Sequence, residues 1–244
     1  LGQASRAIAS ARSGLEVLPP EAGHIRSMAH CIVADGLQME GDLEQGVRVI
    51  REALSDPAWP AILRARMLHG LCIIYFFEGD LDGALEAAGE CLRIAKESRI
   101  PESMSYGRYD LGAVHYLRNE FGQAEPYLVA LLEDRALSTP TYLAFGAFAL
   151  ALIYHAQGRD PEAVQVIDLV LGYLQGTAYA VTYEIAKAFR VELALRQGKL
   201  EDARRLSSGV EFDVRLPRWY FYVPQLTWVR LLLVDGTPKS LSDA

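Results

Sequence analysis

The stretch Tyr75-Phe76-Phe77-Glu78-Gly79-Asp80-Leu81-Asp82-Gly83-Ala84-Leu85 decides the fold. An apolar run meets a polar turn centred on Gly79, and apolar spacing resumes at once with Ala84 five residues past that glycine. The same signature recurs at Leu1-Gly2-Gln3, Glu40-Gly41-Asp42, Arg118-Asn119-Glu120, Gln157-Gly158-Arg159, Gln197-Gly198-Lys199 and Asp235-Gly236-Thr237. The central residues are separated by 39, 38, 40, 39, 40 and 38 positions, and a fixed period of this order marks stacked repeats. Six of the seven are glycine and one is asparagine, the two residues that most readily adopt the left-handed conformation that ends a helix.

Five residues beyond the first six turns stand Ala7, Gly46, Ala84, Ala124, Ala163 and Ala203, small enough for one helix to approach the next; Leu241 breaks the rule at the seventh. Spacings such as Leu43, Val47, Ile50, Leu54 and Leu81, Leu85, Ala88, Leu92 are helical. Each turn therefore separates two antiparallel helices. The first helix of each pair is expected near 24–40, 58–78, 101–118, 140–157, 177–197 and 217–235, and the second helices near 3–18, 42–55, 80–98, 120–136, 160–175 and 199–208. Asp42 is placed to cap its helix, and Asp160 to cap the helix that begins at Pro161. Pro224 lies inside the last first helix and predicts a kink or a late start there. The fold class read from this pattern is all-α, a right-handed superhelical solenoid of helix pairs forming one domain over 1–244. Both ends cut a repeat, so the chain is expected to be a segment of a longer array.

The chain is 51% hydrophobic and 23% charged, enough apolar material for a continuous core. A net charge of −7 opposes a role in gripping nucleic acid, which needs a basic face. Cys31, Cys72 and Cys91 are odd in number and lack CxxC spacing, so they read as buried small residues in a reducing compartment. The longest apolar run, Leu143 to Tyr154, is too short to cross a bilayer, and the start of the chain carries no secretion signal. A cytoplasmic location is expected, with no membrane partner.

No P-loop, HExxH, GxSxG or GxGxxG sequence is present, and His24, His30, His69, His115 and His155 offer no paired metal spacing. No catalytic residue, metal or cofactor is expected. Carboxylates such as Glu40, Asp42, Glu44, Glu78, Asp80 and Asp82 cluster at turns and helix starts, where capping and the helix dipole account for them.

The Gly79 stretch and Leu111-Gly112-Ala113-Val114 resemble the core positions of the tetratricopeptide repeat family. The ordinary repeat of that family is about 34 residues. The longer period here resembles the helical arm of MalT/LuxR-type bacterial regulators, in which an ATPase module is followed by a solenoid and a DNA-binding helix-turn-helix.

In the repeat family the first helices line a concave groove, and the first-helix spans here hold 19 of the 23 aromatic residues. Three residues before the turns come Gln38, Phe76, Tyr116, His155, Leu195 and Leu233; ten before come Cys31, His69, Tyr109, Phe148, Ala188 and Leu226. These offsets share a helix face, which the resemblance directs into the groove. The candidate binding residues are thus His69, Phe76, Tyr109, Tyr116, Phe148 and His155, flanked by Arg66, Tyr106 and Phe145, with Glu192 and Arg196 further along. Such a wall suits a peptide, a protein or a small polar-faced effector such as a sugar. The same rings also fit ordinary core between consecutive first helices, as does the cluster Trp219-Tyr220-Phe221-Tyr222.

Three functions remain. The leading one is a non-catalytic ligand- or protein-binding sensor arm of a larger bacterial transcription regulator or signalling ATPase, with self-association and signal transduction in its scope. A standalone peptide-binding scaffold is the second. The third, an enzyme built on helical hairpins, requires facing carboxylates that the sequence does not reveal.

Overall fold

The computed structural model describes residues 2–214 and 221–236. Leu1, residues 215–220 with Trp219 and Tyr220, and residues 237–244 with Thr237 and Leu241 lie outside the described residues. The described part holds α1 (Gly2–Val17), α2 (Gly23–Met39), α3 (Leu43–Leu54), α4 (Ala61–Glu78), α5 (Leu81–Glu97), α6 (Pro101–Leu117), α7 (Phe121–Glu133), α8 (Pro140–Ala156), α9 (Asp160–Leu174), α10 (Ala180–Arg196), α11 (Leu200–Ser207) and α12 (Pro224–Asp235). A short 3-10 turn, Arg135–Leu137, follows α7, and no strand occurs among the described residues.

The helix ends follow from the turn chemistry. Gly41, Gly79, Asn119, Gly158, Gly198 and Gly236 all have positive φ, from 59 to 88°. That conformation lets the next N–H turn back onto the helix: Asp42 reaches the Leu37 carbonyl at 2.9 Å, Asp80 reaches Tyr75 at 3.0 Å, Glu120 reaches His115 at 2.9 Å and Arg159 reaches Tyr154 at 2.8 Å. Carbonyls that would otherwise be orphaned are thereby satisfied. Asp42 caps α3 through the Gln45 N–H at 3.1 Å, and Asp80 caps α5 through Gly83 at 2.9 Å.

Asp160 departs from its expected role. The helix begins one residue early, with Arg159 at the cap position and no side-chain cap bond. Asp160 then sits within the first turn, where its carboxylate cannot fold back onto the following N–H groups. It lies instead 2.6 Å from His155 Nδ1, across the turn. At the other end of the chain Pro224 produces a late start rather than a kink, since it opens α12 at a position where its missing N–H costs nothing. Phe221 and Tyr222 consequently precede the helix.

The chain forms two compact units, Leu1–Glu120 and Phe121–Ala244. In the first unit α2, α4 and α6 pack side by side, backed by α1, α3 and α5. In the second, α8, α10 and α12 make the same row, with α9 and α11 against α10 and α7 against α8. First helices touch neighbours on several sides and bury most of their length, as in α4 and α8. Second helices differ in depth: only Gly46 and Ile50 are buried in α3 and only Ala203 in α11, whereas α5 buries a broad face from Ala84 to Ala95. From Gly46 to Ala203 the small residue five beyond each turn is buried, whereas Ala7 is half-buried. Ala84, Ala124, Ala163 and Ala203 have no exposed surface, and a Cβ on Gly46 would lie 2.8 Å from the Ala34 carbonyl oxygen.

The cysteines are unpaired; Cys72 and Cys91 are buried and Cys31 is half-buried. Loss of solvation raises all three thiols, Cys31 to about 12, so they persist as neutral, unreactive thiols.

Candidate functional site

The first unit holds Arg66, His69, Phe76, Tyr106, Tyr109 and Tyr116; the second holds Phe145, Phe148 and His155. In the first unit a continuous polar chain runs across three successive first helices. Arg66 of α4 meets the His24 ring of α2, with Nη1 2.7 Å from Nδ1, and the Glu102 carboxylate of α6 at 3.5 Å. Tyr106 donates its hydroxyl to that same Glu102 oxygen at 2.6 Å. The Tyr106 ring stacks on His69 with centroids 4.7 Å apart and planes 13° from parallel. His69 Nδ1 in turn lies 2.7 Å from Asp110 Oδ2. The outer end is open to water at His24, and the inner end is buried, with Asp110 2% exposed.

Burial raises the Asp110 carboxyl above its ordinary value of 3.8, opposed by the charge and hydrogen bond of His69. The folded chain therefore holds this proton more tightly than the unfolded one. The associated stability is full below pH 3.8 and is lost as pH rises through the folded-state value. Asp110→Asn keeps an acceptor for His69 and removes the titration, so its thermal midpoint should vary less with pH on the acid side than that of the parent. Matching pH profiles by circular dichroism would show that Asp110 titrates alike in both states.

Five of the candidate rings are buried, among them His69 and Tyr106 at 6 and 8% exposed. Tyr109 is 2% exposed and Phe145 and Phe148 are fully buried. Phe148 stacks on Phe189 of α10 at 4.1 Å and meets the Tyr222 ring edge-on at 5.8 Å. Within each unit neighbouring first helices pack directly on one another, and Phe148, ten residues before its turn, falls at the contact of α8 with α10, whereas Leu226 at the same offset is 55% exposed. The offset three residues before the turn emerges further, leaving Phe76, Tyr116 and His155 half-buried.

Sequence reasoning missed Asp110, Glu102 and His24 as partners of the candidate residues. It also missed an exposed apolar stripe on α2 formed by Ile25, Met28, Ile32 and Met39, from 41 to 55% exposed. The spacing of Ile25, Met28 and Ile32 signals one helix face. Met28 stands thirteen residues before its turn, as do Arg66 and Tyr106 before theirs. No group of histidines, cysteines and carboxylates among the described residues is placed to hold a metal, and no described helix is long and apolar enough to cross a membrane.

Antiparallel helix pairs joined through left-handed turns, with first helices aligned in rows, define a tetratricopeptide-like repeat protein. The chain belongs to the MalT-like TPR region family, whose pattern matches residues 1–243. No curated protein sequence matches it. Among solved structures it is similar to BtubC (BKLC) from P. vanneervenii, with 19% identity, TM-score 0.67 and coverage of 89% of this chain and 93% of that one. It is also similar to the nearly identical TPR-like repeats of a putative kinesin light chain from Podosopora anserina, with 17% identity, TM-score 0.59 and coverage of 76% and 93%. At such identities these likenesses establish the fold alone. The repeat family is in general a non-catalytic scaffold for protein interaction.

Proposed function

We propose that the chain is the sensor and interaction arm of a larger bacterial transcription regulator or signalling ATPase, binding a protein, peptide or small effector along its first helices. The carrying observation is the exposed stripe Ile25, Met28 and Ile32 beside the His24–Arg66–Glu102 polar chain. Isolated exposed apolar side chains are ordinary, but a helical stripe of them rimmed by charge is the make-up of an interaction surface. Membership of the MalT-like family supports the regulatory setting.

The reading frame around these residues tests that setting. An ATPase or helix-turn-helix segment joined to the repeats supports it, and a frame encoding repeats alone overturns it in favour of a standalone scaffold. Within the joined protein, Met28→Glu with Ile32→Glu should change stability by less than about 0.5 kcal/mol, as surface substitutions do. The same pair should abolish regulation of ATP turnover or DNA binding. Unchanged regulation would remove the stripe from the binding face.

A further inference from the structure

Glu192 of α10 is 1% exposed, yet its carboxylate is the hub of a charged cluster. It accepts hydrogen bonds from Arg196 Nε at 2.7 Å, from Thr227 Oγ1 at 2.8 Å and from Arg230 of α12. The Tyr222 hydroxyl closes the cluster from behind, 2.5 Å from Thr227 Oγ1. The two arginine side chains remain 43 and 50% exposed. One buried carboxylate thus fixes two long cations that would otherwise sample many rotamers and repel each other.

Each guanidinium carries several N–H donors in a planar fork, and only one of each is directed at Glu192. The cluster borders an open cavity of about 430 Å³ lined also by Leu195, Leu233 and Val234. Leu233 and Val234 are 55 and 44% exposed. Two guanidiniums against one carboxylate leave one formal positive charge, set in a chain of net charge −7. The matching ligand therefore carries one negative group, planar for a bidentate fit, on an apolar body that covers the leucine and valine. A multiply charged inorganic anion would exceed the single positive charge and leave the apolar shelf wet.

We infer that Arg196 and Arg230, held by Glu192, form a receptor for the carboxylate of a small apolar acid, with Leu233 and Val234 seating its hydrocarbon. The inference rests on the binding role proposed above and assigns a ligand chemistry to the last two first helices. Preformed geometry is what makes a small ligand feasible here, because the side-chain ordering cost is met before the ligand arrives.

Titration of the chain with hexanoate, hexanamide, acetate and inorganic phosphate, followed by amide NMR shifts, tests it. Hexanoate should saturate with shifts confined to residues 192–196 and 230–234, while hexanamide and phosphate should bind at least tenfold more weakly. Arg196→Gln and Arg230→Gln should each weaken hexanoate about tenfold or more, the scale of a lost charge-assisted hydrogen bond. Leu233→Ser, at a position 55% exposed, should weaken hexanoate but not acetate. Absent hexanoate binding, equal binding of hexanamide, tighter binding of phosphate, or indifference to both arginine variants in folded protein would each overturn the assignment. Retained regulation through the α2 stripe in that case would leave the broader interaction role standing, so the two failures are separable.

Discussion

Replacing Phe148 by alanine should lower the stability of the chain by about 3–5 kcal/mol, the usual cost of emptying a buried phenylalanine site. The ring is fully buried, stacked on Phe189 and flanked by Phe145 and Tyr222, so its removal leaves a void between α8 and α10 that stiff aromatic neighbours fill poorly. Chemical denaturation monitored by circular dichroism measures the loss. A change below about 1 kcal/mol, far under the core range, would mean that the ring is not packed in solution and would return it to the groove wall.

Gly107 is the second position at which a small change has a large effect. A Cβ there would lie 2.7 Å from the Leu92 Cβ and 2.9 Å from both its Cα and its N. Backbone cannot swing aside as a side-chain tip can, so α5 and α6 must separate. Gly107→Ala should destabilise by about 1–3 kcal/mol, and Gly107→Val by more. This outweighs the gain of about 1 kcal/mol in helix propensity. Gly89 in α5 supplies the control, since a Cβ there meets nothing within 4 Å. Gly89→Ala should therefore stabilise by about 0.5–1 kcal/mol. Equal signs for the two alanine variants in thermal melts would refute the close approach of α5 and α6.

The helix boundaries were legible in the sequence because they depend on local chemistry. Few residues tolerate the backbone of Gly79 or Asn119, a Cβ at Gly46 would press on the Ala34 carbonyl, and little beyond alanine fits at the fully buried Ala84, so the period is written at those positions. The start of α12 was read as an alternative and resolved by Pro224. The binding wall was less legible because first helices such as α8 are apolar on almost every face. From Leu143 to Ala151 every residue is buried, and no periodicity remains to separate groove from contact. The sequence therefore leaves groove wall and core both open for these rings, of which Tyr109 and Phe148 are buried and Phe76 and Tyr116 half-buried.

The polar chain escaped notice for a different reason. Its partners are distant in sequence, 42 residues for His24 and Arg66, 36 for Arg66 and Glu102, and 41 for His69 and Asp110. No local motif links them, yet these separations lie close to one period. A search for basic and acidic residues one repeat apart would have found Arg66 with Glu102 and His69 with Asp110, though not the two basic groups His24 and Arg66, and it would also have joined Glu192 to Arg230, 38 residues away.

The small residue beside each left-handed turn bears on how such chains diverge. One permissive backbone position and one missing side chain fix the frame of a repeat, and most other sites need only be apolar or wet. Few letters in each repeat are thus constrained by architecture, leaving the alphabet at the rest free to drift. A chain can then share 19% of its residues with BtubC and still superpose with a TM-score of 0.67. For a repeat of this design, architecture and specificity are written in different residues, and reading one says little about the other.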